Sequence, residues 1–136
     1  MNINQQQREQ IESVKQAAGR MIWVTFQKIG FHKYPQAAFD PSLADVAYLG
    51  QRHRHLFKFK VSIEIFHDDR ELEFHQFLNY CESLYQDKQL EINSKSVEMI
   101  SDDLYIQIAA KYPDRNMVID VSEDGECGCS VTYNKQ

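Results

Sequence analysis

The chain has 136 residues, 43% of them apolar and 12% aromatic, which suits one folded domain with a core of its own and excludes a disordered chain. Its formal charge of -5, spread along the sequence, argues against a dedicated nucleic-acid surface. No apolar run nears the roughly 20 residues that cross a bilayer, the polar start lacks a signal-peptide core, and Cys81, Cys127 and Cys129 offer no disulfide framework, so a cytoplasmic, membrane-free protein is expected.

Residues 1–20 read as a polar helix or arm, with Ile11, Val14 and the Ala17-Ala18 pair as its apolar contacts. Residues 21–136 read as a single domain without linker or repeat. A first strand runs from about Met21 to Phe31, rich in β-branched and aromatic residues. A loop from Lys33 to Gln51 follows, with Pro35, Pro41 and Gly50. The second strand is the segment His53–Phe66, and His67-Asp68-Asp69-Arg70 turns the chain.

Then the apolar period changes. Phe74, Phe77, Leu78, Cys81, Leu84 and Tyr85 fall on one helical face. A second helix begins at Ser96, an N-cap residue, carries Val97, Ile100, Leu104 and Ile108 as its stripe, and stops before Pro113. Met117–Ser122 and Cys127–Tyr133 are two closing strands joined by the turn Glu123-Asp124-Gly125-Glu126. The order is ββααββ. It predicts an α+β domain, a four-stranded antiparallel sheet with two helices on one face. Its two open edges favour closure by other subunits, so a homo-oligomer is expected.

Chemistry concentrates at His53-Arg54-His55. Side chains two apart on a strand share a face, which puts both imidazoles beside Phe57, Phe59, Val61, Ile63 and Ile65, and Lys58, Lys60, Ser62 and Glu64 opposite. Spaced about 6–7 Å apart by the strand rise, the two can converge on one metal ion, with a third ligand from elsewhere. The other reading is two buried histidines satisfied by carbonyls or carboxylates. His67 and His75 read as surface residues, and Cys127-Gly128-Cys129 as two small buried residues of the last strand flanking a glycine. Arg52, Arg54, Lys58 and Lys60 form a basic stripe of solvated strand positions.

Five short motifs then occur in order: Phe31-His32, His53-Arg54-His55, Leu72-Glu73-Phe74 with Phe77-Leu78, Ser96-Val97-Glu98-Met99-Ile100, and Val121-Ser122-Glu123-Asp124 with Tyr133. Over residues 21–133 this resembles the 6-pyruvoyl-tetrahydropterin and 6-carboxy-tetrahydropterin synthase family, T-fold proteins that assemble into barrels, commonly hexamers. The resemblance implies His32, His53 and His55 as zinc ligands, a three-ligand set that leaves one position open. It implies Glu123 as the carboxylate that accepts two N–H bonds from a pterin or guanine-like ring, and Ser96 in the place of a pocket threonine. Arg52 and Arg54 flank that pocket mouth, where they suit a phosphate or carboxylate of the ligand.

The departures are equally informative. The family's enzymes carry a proton-abstracting cysteine where Leu49 stands, and an Asp-His pair between the helices where Gln86–Ser94 has no histidine. Proton transfer at carbon needs a positioned base. The expected function is therefore binding of a pterin-, purine- or nucleotide-like small molecule between subunits, without the lyase reaction. A zinc-dependent synthase-type lyase with a substituted base and a ligand-free structural oligomer are the alternatives.

Overall fold

A computed structural model of the chain describes residues 1–86 and 89–136, leaving the side chains of Gln16, Ala17 and Ala18 outside that description. The expected Ala17-Ala18 contacts, and Asp87 and Lys88 of the inter-helix segment, therefore lie outside the described residues. Helix α1 spans Gln5–Ala18 and opens with a reciprocal capping box, Asn4 accepting from the Gln7 N–H while the Gln7 side chain accepts from the Asn4 N–H. Ion pairs bring it to the rest of the chain: Lys15 Nζ lies 2.6 Å from Asp68, and Glu12 lies 3.0 Å from Arg20, which itself reaches Asp68 at 3.1 Å.

Strands β1 (Met21–His32) and β2 (His53–Glu64) pair antiparallel along their whole length, from Met21 opposite Glu64 to His32 opposite His53. The connection between them folds as 3₁₀ turns, Pro35–Ala38 and Pro41–Gly50. Helix α2 (Phe74–Ser83) starts at Glu73, whose carboxylate accepts from the Gln76 N–H. Helix α3 (Val97–Lys111) starts at Ser96, as its sequence signal indicates, with Oγ accepting from the Met99 N–H at 3.2 Å. The closing hairpin is β4 (Met117–Glu123) and β5 (Cys127–Tyr133).

The sheet is five-stranded and mixed, which corrects the expected four-stranded antiparallel one. Strand β3 (Gln89–Asn93) lies between the helices in sequence and pairs parallel with β1, giving the order β3-β1-β2-β4-β5. Its buried Leu90 and Ile92 alternate with exposed polar residues, a period-two pattern that packs one side of a strand on the core. The other four strands are antiparallel neighbours. No helix among the described residues is long and apolar enough to cross a membrane.

Both helices cover one sheet face. Phe77 and Cys81 of α2 and Ile100, Leu104 and Ile108 of α3 join Val24, Phe26, Phe57, Phe59, Val61, Ile63, Met117, Ile119 and Val121 in one buried cluster. Phe26 and Phe59 stack there, ring centroids 4.7 Å apart. Burial pushes the Cys81 thiol up to about 12, so this cysteine serves as core. The expectation that Cys127 and Cys129 are buried is half corrected: Cys129 is partly covered, whereas Cys127 is exposed at the start of an edge strand.

Away from the core, Arg115 holds the chain between β2 and α2. Its guanidinium donates to Glu71 through two bonds of 2.6 and 2.9 Å and to the Glu64 carbonyl, and both side chains of the pair are nearly covered. That guanidinium holds the Glu71 carboxyl below its usual 4.5. The unfolded chain takes up this proton more readily than the folded one, so the contribution is complete above pH 4.5 and is lost as pH falls through the lowered folded value. Arg115→Leu is expected to cost about 3 kcal/mol at neutral pH by stranding the carboxylate and to flatten that acid limb. Urea midpoints measured from pH 7 down to 3 check both effects.

Candidate metal centre

Strand register brings the histidines together. His32 lies directly opposite His53, and His55 lies two residues further along β2, opposite Gly30. Opposed residues of an antiparallel pair share a face, so all three imidazoles project from the core face just beyond the aromatic layer. One ring nitrogen from each lies within 4.8 Å of the others. The rings meet edge to face, with centroids 4.5 Å apart for His32 and His53 and 4.8 Å for His53 and His55.

Phe57 forms the floor of the cluster. Its ring meets His32 at 5.2 Å and His55 at 5.8 Å between centroids, nearly perpendicular to both. Gly30 makes this packing feasible: a Cβ at that position would stand 2.8 Å from two carbons of the Phe57 ring, closer than unbonded carbons approach.

Each imidazole is held at Nδ1. His53 Nδ1 lies 2.7 Å from the Gln51 carbonyl, His32 Nδ1 3.3 Å from the Lys95 carbonyl, and His55 Nδ1 2.7 Å from an Asp124 oxygen. Carbonyls and carboxylates only accept, so each ring donates from Nδ1, which leaves Nε2 as its free ring nitrogen. This is the arrangement that orients metal-binding histidines. Burial lowers the His32 pKa below its ordinary 6.5, against the opposing pull of the Lys95 carbonyl and Glu123, which favours the neutral ligand form.

Glu123, the last residue of β4, completes the group. Its two oxygens lie 3.1 Å from His32 Nε2 and 3.3 Å from His55 Nε2. Both Nε2 atoms are buried, and no hydrogen bond of good geometry joins either of them to the carboxylate. The turn that follows aims this carboxylate. Asp124 and Gly125 both have positive φ, 59° and 74°, in the three-residue loop Asp124–Glu126 between the paired Glu123 and Cys127, where the Glu126 N–H donates to the Glu123 carbonyl at 3.0 Å. Asp124 also bonds Leu56 twice, its carboxylate accepting from the Leu56 N–H and its own N–H donating to the Leu56 carbonyl, each at 2.8 Å. The Leu56 N–H, followed by His55, holds the Asp124 carboxyl below its ordinary range.

The remaining residues singled out in the sequence lie apart from this group. Arg52 pairs with Glu91 of β3, its nearest nitrogen at 2.6 Å, and covers the Phe31 ring. Arg54 is exposed and opposite Phe31, on the other face of β2. Ser96 caps α3, one residue beyond the carbonyl that holds His32. His67 and His75 are exposed, as expected. A depression of about 480 Å³ lined by Thr25, Gln27, Lys58, Lys60, Asp120 and Ser122 opens on the other face of the sheet and has no histidine in its wall. Gly30, Asp124 and the Lys95 and Gln51 carbonyls were not marked as site residues by the sequence; the Asp-Gly turn was its one legible trace.

Fold and site together define an α+β protein that gathers three histidines at one end of its sheet, close enough to hold a metal ion, with the Glu123 carboxylate beside two of them. Models of known protein families give no match to the chain, and no curated protein matches it.

Proposed function

We propose that this chain is a divergent T-fold protein of tetrahydropterin-synthase type that holds zinc through His32, His53 and His55 and binds a pterin-, purine- or nucleotide-like small molecule beside it. The observation that carries the metal is the pair of buried, unpartnered Nε2 atoms turned toward a carboxylate. Buried polar atoms of this kind are satisfied or occupied, and the donor set suits zinc. The T-fold reading is supported by the four antiparallel neighbours β1-β2-β4-β5 with two helices inserted after β2, and by the motifs that fall on those elements.

Zinc so held supplies a Lewis acid for an oxygen atom of the bound molecule. The residues of this chain orient it: Asp124, Lys95 and Gln51 fix the imidazoles, and Phe57 closes the cluster from below. Glu123 suits the amino-pyrimidinone edge of a heterocycle, since one carboxylate accepts two parallel N–H bonds. Lyase chemistry is not part of the proposal. Leu49 has no ionisable group, and its carbonyl is engaged by the Tyr34 N–H at 2.7 Å. Homo-oligomers, with hexamers as the family's usual form, follow from the same reading, with β5 as an edge open to a neighbouring subunit.

Titration of the zinc-equilibrated chain with a fluorescent pterin, and separately with a guanine nucleotide, tests the ligand. Saturable binding near the micromolar range (about -8 kcal/mol) is expected for at least one, and its loss in His53→Ala. Binding of neither rejects the ligand assignment. Turnover of a dihydroneopterin triphosphate-like substrate by the unaltered chain would reject the non-catalytic half of the proposal.

A further inference from the structure

We infer that Glu123 is itself a metal ligand in the resting protein, filling the coordination position that three histidines leave free, so that a small molecule reaches the metal only by displacing it. The inference rests on the reading of His32, His53 and His55 as metal-binding and goes one step further, to the state of the centre before ligand arrives.

Proton accounting leads to it. The Nδ1 atoms of His32 and His55 donate to the Lys95 carbonyl and the Asp124 carboxylate, which leaves Nε2 as the ring nitrogen available to a metal. Against these nitrogens stands the Glu123 carboxylate, at 3.1 and 3.3 Å. Two imidazole nitrogens and a carboxylate converge, and both nitrogens are buried without a hydrogen-bond partner. Buried nitrogens facing a carboxylate need a positive charge between them, and a metal ion bound by the three rings supplies it.

The spacing agrees. Each Glu123 oxygen faces one imidazole, Oε1 3.1 Å from His32 Nε2 and Oε2 3.3 Å from His55 Nε2, so an ion bound by these two rings lies within reach of the carboxylate. Glu123 is also braced for this position: it ends β4 opposite Phe57, and the Asp124-Gly125 turn behind it is tied to Leu56. The resulting set, three imidazoles and one carboxylate, is a closed four-coordinate centre. A heterocycle that takes the Glu123 carboxylate for its own N–H groups frees the fourth position in the same step, which couples ligand recognition to opening of the metal.

Cobalt(II) in place of zinc makes the coordination visible in absorption, and azide probes for a free position. The full chain, Glu123→Ala and Glu123→Gln are each loaded with cobalt(II) and titrated with azide. The unaltered chain is expected to need at least about tenfold more azide than Glu123→Ala to change its visible bands, because azide must first displace a protein ligand. Glu123→Gln, which keeps the side-chain size, is expected to respond like Glu123→Ala. Equal azide sensitivity in all three proteins overturns the inference while leaving the three-histidine centre standing. Absence of cobalt bands in the unaltered chain, by contrast, overturns the metal reading itself.

Discussion

Phe57→Ala is expected to lower the unfolding free energy by about 3–5 kcal/mol, the range for truncating a fully buried aromatic ring. Phe57 has no exposed surface and sits on β2, the middle strand of five. It is flanked by Lys28 on one side and Glu123 on the other. The loss has two parts: the transfer energy of the ring and the cavity it leaves beneath two imidazoles. His32 and His55 lose the surface against which their rings stand, so metal affinity falls together with stability. Phe57→Leu keeps much of the volume and is expected to cost about 1–1.5 kcal/mol. Urea unfolding of the metal-free chains measures both. A cost for the alanine variant below about 1 kcal/mol would contradict the packing described.

Asp124→Asn is expected to weaken zinc binding roughly 10- to 100-fold, the usual cost of removing the group behind a ligating histidine. The variant separates two roles of one residue. Asp124 has φ of 59°, a left-handed conformation that asparagine adopts readily and alanine does not. Asparagine therefore preserves the turn while replacing the carboxylate that fixes the His55 tautomer. Asp124→Ala loses the turn as well, and is expected to cost about 1 kcal/mol of stability in addition. Competition with a chromophoric chelator gives the affinities, and urea midpoints give the stabilities. Unchanged zinc affinity in Asp124→Asn would mean that His55 is oriented without its carboxylate partner.

Local periodicity made much of the fold readable. The alternation of β2 placed His53 and His55 on the core face with Phe57 and Phe59, and the stripe of α3 and its Ser96 cap appear where the sequence puts them. Strand β3 escaped for two reasons. It is only five residues long, and it pairs parallel with β1, a partner that no local pattern announces. The centre was half legible. That His32 stands with the histidine pair came from resemblance, because the 20 residues between His32 and His53 carry no spacing rule (~20 residues is a long loop by ordinary standards). That it stands directly opposite His53 is a fact of register. The contact between His55 and Asp124 joins residues far apart in the chain through the β4–β5 turn, and the Asp-Gly signal explained the turn without revealing the contact. The ion pair of Arg52 with Glu91 is equally hidden in the sequence, since Glu91 lies on that same short parallel strand.

The central claim is that the three histidines and their braced Nδ1 atoms form a metal centre. The zinc content of the purified chain, equilibrated with excess zinc and then freed of unbound metal, tests it most directly when compared with His53→Ala. About one zinc per chain is expected in the unaltered protein and clearly less in the variant, since His53→Ala removes one of the three imidazoles and leaves at most two imidazoles with the Glu123 carboxylate to compete against washing. Equal zinc in both proteins, or none in either, would contradict the account.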